Sequence, residues 1–241
     1  MTVHDHPDRR SVAVIGAGAV GVCSALHLQR RGWRVTLIDR EDPGSQTSFG
    51  NAGVISEGSL VPLNNPDLFG SLLTLLRNDT AHLRYDWRHV VRHWPWMLGF
   101  LRAGLRARAE HGSHALYQLT SRALDEHRAL MQRCGNMHRL SERGWLKVYR
   151  EASGSAAGRF EAEQLARCEI SVQPLSKADL HAIEPALKPI FSAATLLPQG
   201  AFINNPGALV GEYAERFKGD GGQLVTSAIH SLEATPTGFV C

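Results

Sequence analysis

The apolar positions change period several times along the chain, and each change marks an element. Val12, Val14 and Ile15 form a short apolar run that stops at Gly16, which predicts a strand covered on both faces. Val22, Ala25 and Leu26 then recur at helical spacing, Arg30 and Arg31 occupy the last turn, and Gly32 suits the left-handed position just past a helix end. Trp33 to Ile38 predicts a second strand. After it the chain does not run promptly into a helix and a third parallel strand. Residues 41–56, EDPGSQTSFGNAGVIS, form instead a small and polar loop whose Gly44, Gly50 and Gly53 let backbone donors lie along a ligand. The plainer alternative is a flexible surface connection.

From Asp67 to about Arg133 the period becomes helical, with Leu68, Leu72, Leu75 and Leu76, and later Leu116, Leu119, Ala123 and Leu130, at helical spacing. Between these sets Arg84, Arg88, Arg92, Arg102, Arg106 and Arg108 accompany Trp87, Trp94, Trp96 and Phe100. That mixture suits an anionic membrane surface, but a solvated helix face with the tryptophans in the core is the favoured expectation. Gly144 to Arg150 alternates as a strand does, and another strand is expected near Ile170 to Leu175. Ser176 offers an N-cap with Asp179 three residues on, and Pro185 bounds the short helix. Ala194 to Ile203 reads as a strand or hairpin interrupted at Pro198 and Gly200. Asn205 then caps a helix, Pro206 opens it, and Leu209, Val210, Tyr213, Ala214 and Phe217 line one face before Gly219. The strand expected over Gln223 to Leu232 supplies the third parallel strand that was missing after Asp39. The predicted fold class is therefore α/β: a Rossmann-like domain with a parallel sheet, discontinuous over residues 1–58 and 205–241, and an inserted α+β unit over 59–204 that carries substrate contacts.

The chemistry begins at the first turn. Gly16, Gly18 and Gly21 fit G-x-G-x-x-G between a strand and a helix: the first permits the tight turn, the second lets backbone approach a pyrophosphate, and the third lets helix pack on strand. The helix N-terminus then faces the phosphates. Asp39, at the end of the second strand, stands where a carboxylate accepts hydrogen bonds from an adenosine ribose and repels a 2′-phosphate, which argues against NADP. His89 and His93 share a helix face, but no third ligand completes a metal site, and no metal is expected.

Composition narrows the setting. With 241 residues and 43% hydrophobic content, the chain can build a core in one or two domains. A formal charge of +3 is too mild to imply nucleic acid, and no nucleic-acid partner is expected. Cys23, Cys134, Cys168 and Cys241 show no C-x-x-C spacing, which fits a reduced cytoplasmic setting. The start, MTVHDHPDRR, does not read as a secretion signal, and the strongest apolar run, Trp94 to Leu101, is broken by Pro95 and Gly99, so no bilayer span is expected.

Three stretches together, GAGAVGVCSALHL (Gly16 to Leu28), VTLIDR (Val35 to Arg40) and TSFGNAGVIS (Thr47 to Ser56), carry a family resemblance. LLPQGAFINNPGALV (Leu196 to Val210) and GGQLVTSAIHSL (Gly221 to Leu232) support it more weakly. The chain resembles the FAD-dependent oxidoreductases of the D-amino-acid oxidase superfamily, most closely the bacterial D-amino-acid dehydrogenases. The resemblance implies FAD as cofactor, with the pyrophosphate at the turn of Val14, Ile15, Gly16, Ala17, Gly18, Ala19, Val20 and Gly21. It implies the adenosine ribose at Asp39 and Arg40, and adenine at the backbone of the strand Val225 to Ile229, with Ile229 at the matching position. Ser48, Asn51, Ala52 and Gly53 would run beside the pyrophosphate toward the flavin, although an asparagine satisfying its own backbone reads equally well at Asn51. The implied reaction oxidises the Cα–N bond of a D-amino acid, or of a related amine such as sarcosine or proline, in amino-acid catabolism. No catalytic residue is assigned, because the resemblance places the carboxylate-binding groups beyond the quoted stretches. The implied electron acceptor is a quinone or a carrier at the membrane surface, with the protein cytoplasmic or peripheral on the inner face of the membrane.

The resemblance also predicts that the chain is truncated, the amino-terminal part of the unit, ending at Phe239-Val240-Cys241 just after a Thr235-Pro236-Thr237-Gly238 turn. A separately encoded carboxy-terminal half is the expected partner, and the chain alone is expected to be neither stable nor active. An NAD-binding dehydrogenase and a non-catalytic dinucleotide-binding fragment are the alternatives.

Overall fold

The computed structural model describes residues 10–70, 84–150, 158–236 and 238–240. The chain divides into two units. The first comprises residues 1–53, 127–141 and 202–241, and the second 54–126 and 142–201.

In the first unit, strand β1 (Ser11–Ile15), helix α1 (Ala19–Arg30) and strand β2 (Arg34–Asp39) follow one another as the apolar pattern requires. β1 and β2 are parallel, with Val12 beside Val35 and Ile15 beside Ile38. The third strand, Gln223–Thr226, lies parallel on the other side of β2, with Thr36 beside Gln223 and Asp39 beside Thr226. The chain reaches it through the helix Pro206–Gly219, which packs on α1. Asn205 caps that helix by accepting from the Ala208 N–H at 3.2 Å, and Pro206 fills its first turn. All five expected core positions, Leu209, Val210, Tyr213, Ala214 and Phe217, are buried, as are Val22, Ala25 and Leu26 of α1. Each large side chain among them contributes about 1.5–3 kcal/mol.

Two expectations for this sheet need correction. β1 is not covered on both faces: Ser11, Ala13 and Ile15 are exposed while Val12 and Val14 are half-buried. Val14 faces α1 across Gly21, so the face carrying Val12 and Val14 is partly covered, whereas none of the described residues covers the face carrying Ser11, Ala13 and Ile15. The last strand stops at Thr226 rather than Leu232. β2 ends at Asp39, whose carbonyl accepts from the Ser227 N–H at 2.7 Å, and no partner residue is left for Ala228 to Leu232.

Residues 127–141 cluster with the first unit, although the sequence division placed them inside 59–204. The reason is a set of polar ties to the later helix. The Arg139 guanidinium binds the Glu212 carboxylate and Asn204 Oδ1, Asn136 Nδ2 donates to Glu212 at 2.9 Å, and Arg133 pairs with Asp220 at 3.1 Å. A sequence read by hydrophobic period carries no trace of these pairs.

The second unit holds a three-stranded antiparallel sheet in which Ala193–Leu197 lies between Trp145–Tyr149 and Gln173–Leu175. Leu60, Leu165, Ile170 and Leu197 form its core, with Leu116, Tyr117 and Trp145 packed around them. Ser176 and Asp179 form the expected capping box at the helix Lys177–Ile183. Ala201–Ile203 is a separate strand that does not pair with Ala193–Leu197, so the interrupted segment is not a hairpin. Leu119 is exposed, because the covered face of the helix Arg106–Thr120 carries Ala109, Ser113, Leu116 and Tyr117, and Leu119 lies off that face. The core expectation for the tryptophans is also overturned: Trp87, Trp94 and Trp96 are 48%, 63% and 65% exposed on the helices Trp87–Arg92 and Trp94–Ala103. Leu72, Leu75 and Leu76 lie outside the described residues. No helix among the described residues is long and apolar enough to cross a membrane.

Candidate dinucleotide site

The three glycines of the first turn have different physical causes. Gly16 has φ of +102°, a conformation that L side chains rarely adopt, and its N–H donates to the Ile38 carbonyl at 2.7 Å as the chain leaves β1. Gly21 lies on the Gly16 carbonyl, which any Cβ would overlap, so it fixes the approach of α1 to β1. Gly18 answers to neither constraint. A Cβ there meets only the Ser48 hydroxyl, at an ordinary 3.6 Å, and its φ of −74° suits any residue. Nothing in the fold requires glycine at 18, which is what a position kept bare for an approaching ligand looks like.

The turn is braced from two sides. Asp39 Oδ2 accepts from the Ala17 N–H at 2.6 Å, and Oδ1 accepts from the Glu41 N–H at 3.1 Å. The Ala17 N–H is the main cause that holds the Asp39 carboxyl below the usual range, so it is ionised at neutral pH with lone pairs left on both oxygens. On the other side the buried Ser48 accepts from the Ala19 N–H at 3.0 Å, capping α1 from the following loop. Val20 and Gly21 then carry the remaining first-turn N–H groups that helix geometry leaves without an intrahelical carbonyl. The Gly44 N–H returns to the Ala17 carbonyl at 3.1 Å, so the 41–53 loop is folded back on the turn rather than loose.

A cavity of about 270 Å³ opens at the carboxyl ends of β1, β2 and the third strand. It is lined by Ile15, Gly16, Ile38, Asp39, Arg40, Ser227, Ala228, Ile229 and His230. The structure thus brings together five of the positions singled out in sequence: Ile15, Gly16, Asp39, Arg40 and Ile229. Ser227 and Ala228 fall within the stretch Val225 to Ile229 expected at adenine, whereas Ile38 and His230 were missed, although the rule that ligands sit beyond the carboxyl ends of parallel strands pointed to them. Val14 lies within β1 and Ala17 to Gly21 form the rest of the turn, outside the cavity lining. Asn51 Oδ1 accepts from the Gly53 N–H at 2.8 Å, so this asparagine does satisfy its own backbone, and Asn51 and Ala52 are exposed. Gly53 in turn accepts from the Ile203 N–H at 2.8 Å.

Other perturbed groups of this unit lie away from the cavity. Burial pushes the Cys23 thiol up to about 11, raises Cys134 and Tyr213, and lowers His127, whose Nδ1 is 3.2 Å from the Tyr213 hydroxyl. Thiols raised by burial stay protonated and inert. Among the described residues no group of three or more His, Cys, Asp or Glu gathers to hold a metal, and His89 and His93 simply stack, 4.0 Å apart.

The profile of the family described as FAD dependent oxidoreductase (DAO) matches residues 11–240. A D-amino-acid oxidase of Bradyrhizobium diazoefficiens is 30% identical over 234 residues, covering 94% of this chain and 54% of its own length. A D-amino acid dehydrogenase of Paramagnetospirillum magneticum is 38% identical over 181 residues, covering 73% of this chain and 42% of its own. Among solved structures, glycine oxidase from Geobacillus kaustophilus superposes with a TM-score of 0.60 at 18% identity, over 96% of this chain and 50% of that one. The last of these shows the fold alone. The chain spans about half the length of the curated relatives it matches.

Proposed function

This chain belongs to the FAD-dependent oxidoreductase family, and from that premise we propose that it carries the dinucleotide-binding part of an enzyme that oxidises the C–N bond of D-amino acids. The observation that carries the reading is the turn itself. Gly16 and Gly21 are required by backbone and packing, Gly18 by neither, and an ionised Asp39 stands at the adjoining cavity. These residues fit an adenine dinucleotide.

In the proposed complex Val14 to Gly21 hold the pyrophosphate, chiefly through the Val20 and Gly21 N–H groups. Asp39 accepts from the ribose hydroxyls, Arg40 flanks them, and Ile229 meets adenine through its backbone. Ser48 keeps the end of α1 in place, and the loop of Asn51, Ala52 and Gly53 leads toward the flavin. When bound, FAD supplies a two-electron acceptor. The substrate loses a hydride from Cα and a proton from nitrogen, leaving a C=N bond that water opens to a 2-oxo acid and ammonia. This part of the chain contributes binding and orientation, and no catalytic side chain is assigned to it. The names of the two relatives support the D-amino acid, and the dehydrogenase name supports an acceptor other than oxygen, such as a quinone.

The test is a titration of the protein with FAD and with NAD, read by flavin fluorescence and calorimetry, repeated on Gly18→Val. FAD binding that the variant abolishes, with its unfolding temperature unchanged, supports the reading. NAD preference, or full FAD affinity in the variant, overturns it. Dye reduction by D-amino acids, L-amino acids, sarcosine and proline separates the substrate classes, and turnover confined to L-amino acids refutes the D-specific part.

A further inference from the structure

We propose that the helices Trp87–Arg92 and Trp94–Ala103 form a docking surface for an anionic lipid bilayer. The proposal does not depend on the flavin reading, since it rests on the second unit alone. Neither helix carries a buried residue. In the second of them Met97, Phe100 and Leu101 are half-buried and Gly104 just beyond is buried, so one stripe faces its own unit, where the Phe100 carbonyl accepts from Asn64 Nδ2 at 2.9 Å. Trp94 and Leu98 stand a turn apart on another stripe, with Arg102 one turn further. The first helix repeats the arrangement: Trp87 and Val91 are four apart, beside Arg88 and Arg92 at the same spacing, and all four are exposed.

Three of the chain's five tryptophans are therefore wet, in a segment rich in arginine. Residues 84–108 hold six arginines against one aspartate, in a chain whose whole formal charge is only +3. Among the described residues Arg106 is the one of the six that meets carboxylates, those of Glu110 and Glu163. Indole rings favour the headgroup layer, where one end is apolar and the other wet, and guanidinium groups beside them reach lipid phosphates. Neither helix is long enough to span, so the surface lies on the bilayer rather than crossing it. An anionic bilayer satisfies both halves of the pattern, the apolar stripe and the excess of positive charge.

The experiment is sedimentation of the chain with vesicles of pure phosphatidylcholine and of phosphatidylcholine with about 30% phosphatidylglycerol, at salt from about 0.05 to 0.5 M. Binding confined to the anionic vesicles, weakened by salt and accompanied by a blue shift of tryptophan emission, is expected. Arg88→Glu/Arg92→Glu should weaken it roughly tenfold or more, whereas the charge-matched Arg30→Glu/Arg31→Glu on α1 should lower it far less. Unfolding midpoints check that both variants are folded, and the emission shift of the unaltered chain needs no variant. No binding, equal binding to neutral vesicles without salt dependence, or the same loss in both variants overturns the proposal. So does self-association that Trp94→Ser/Trp96→Ser abolishes while vesicle binding is unchanged, because the surface would then be an interface between copies of the chain.

Discussion

Along Gly16–Gly21 the main chain is what faces outward, while along Trp87–Ala103 the main chain is satisfied within the helices and the side chains are left over. In the turn, Gly16, Ala17 and Ala19 each have a named hydrogen-bond partner, and the side chains are reduced to hydrogen or methyl except at Val20. On the helices, indole and guanidinium groups project from a backbone that would tolerate almost any residue at the same positions. A site built from backbone fails when a side chain is added. A site built from side chains fails only when they are removed, and the fold does not notice.

Substitution tests that contrast directly. The largest effect is expected at Gly21, where even Gly21→Ala places a carbon on the Gly16 carbonyl. Overpacking of this kind costs about 1–3 kcal/mol or more, seen as a fall in unfolding temperature, and wild-type stability would show that α1 can lift off β1. Asp39→Ala should leave the fold standing but weaken FAD binding by about 1.5–3 kcal/mol, and a titration with unchanged affinity would remove Asp39 from the site. Acid sharpens the same point. Asp39 is held below its ordinary range chiefly by the Ala17 N–H, and Glu212 chiefly by Arg139. Groups whose folded pKa is depressed stabilise the fold above the unfolded value of about 4 and lose that contribution as pH falls through the folded value. The unfolding midpoint should therefore drop below about pH 4.5, and Asp39→Asn should flatten the drop. Ser176→Ala, which opens a capping box, should cost about 1 kcal/mol. Trp94→Ser comes last, with a change in stability within about 0.5 kcal/mol, since the indole is mostly exposed; a larger loss would mean the ring is packed after all.

The same contrast explains what could be read in the chain beforehand. The turn, α1, the later helix and its five core positions were legible because each depends on residues close in sequence, through glycine spacing, capping and helical period. Ser176 with Asp179 is another local device. The brace from Ser48 to Ala19 and the ties of Arg133, Asn136 and Arg139 to the later helix were not legible, because they join residues from about 30 to more than 70 positions apart through polar contacts that leave no period. The tryptophans were misplaced for a different reason. Helical spacing locates a stripe, but only packing tells whether anything covers it, and hydrophobicity alone argued for the core.

The parallel pairing of β2 with Gln223–Thr226 has a consequence for how the chain is made. Thr36 and its partner Gln223 are 187 residues apart. At about 5–20 residues per second, β1, α1 and β2 leave the ribosome roughly 10–40 seconds before the strand that borders β2 exists. For that interval β2 presents an unpaired edge with Leu37 awaiting cover, while the intervening helices, built on local contacts, can already form. The nascent first unit is therefore the species most in need of a chaperone, and slowing translation across residues 59–204 should lower soluble yield more than slowing it after Gly219.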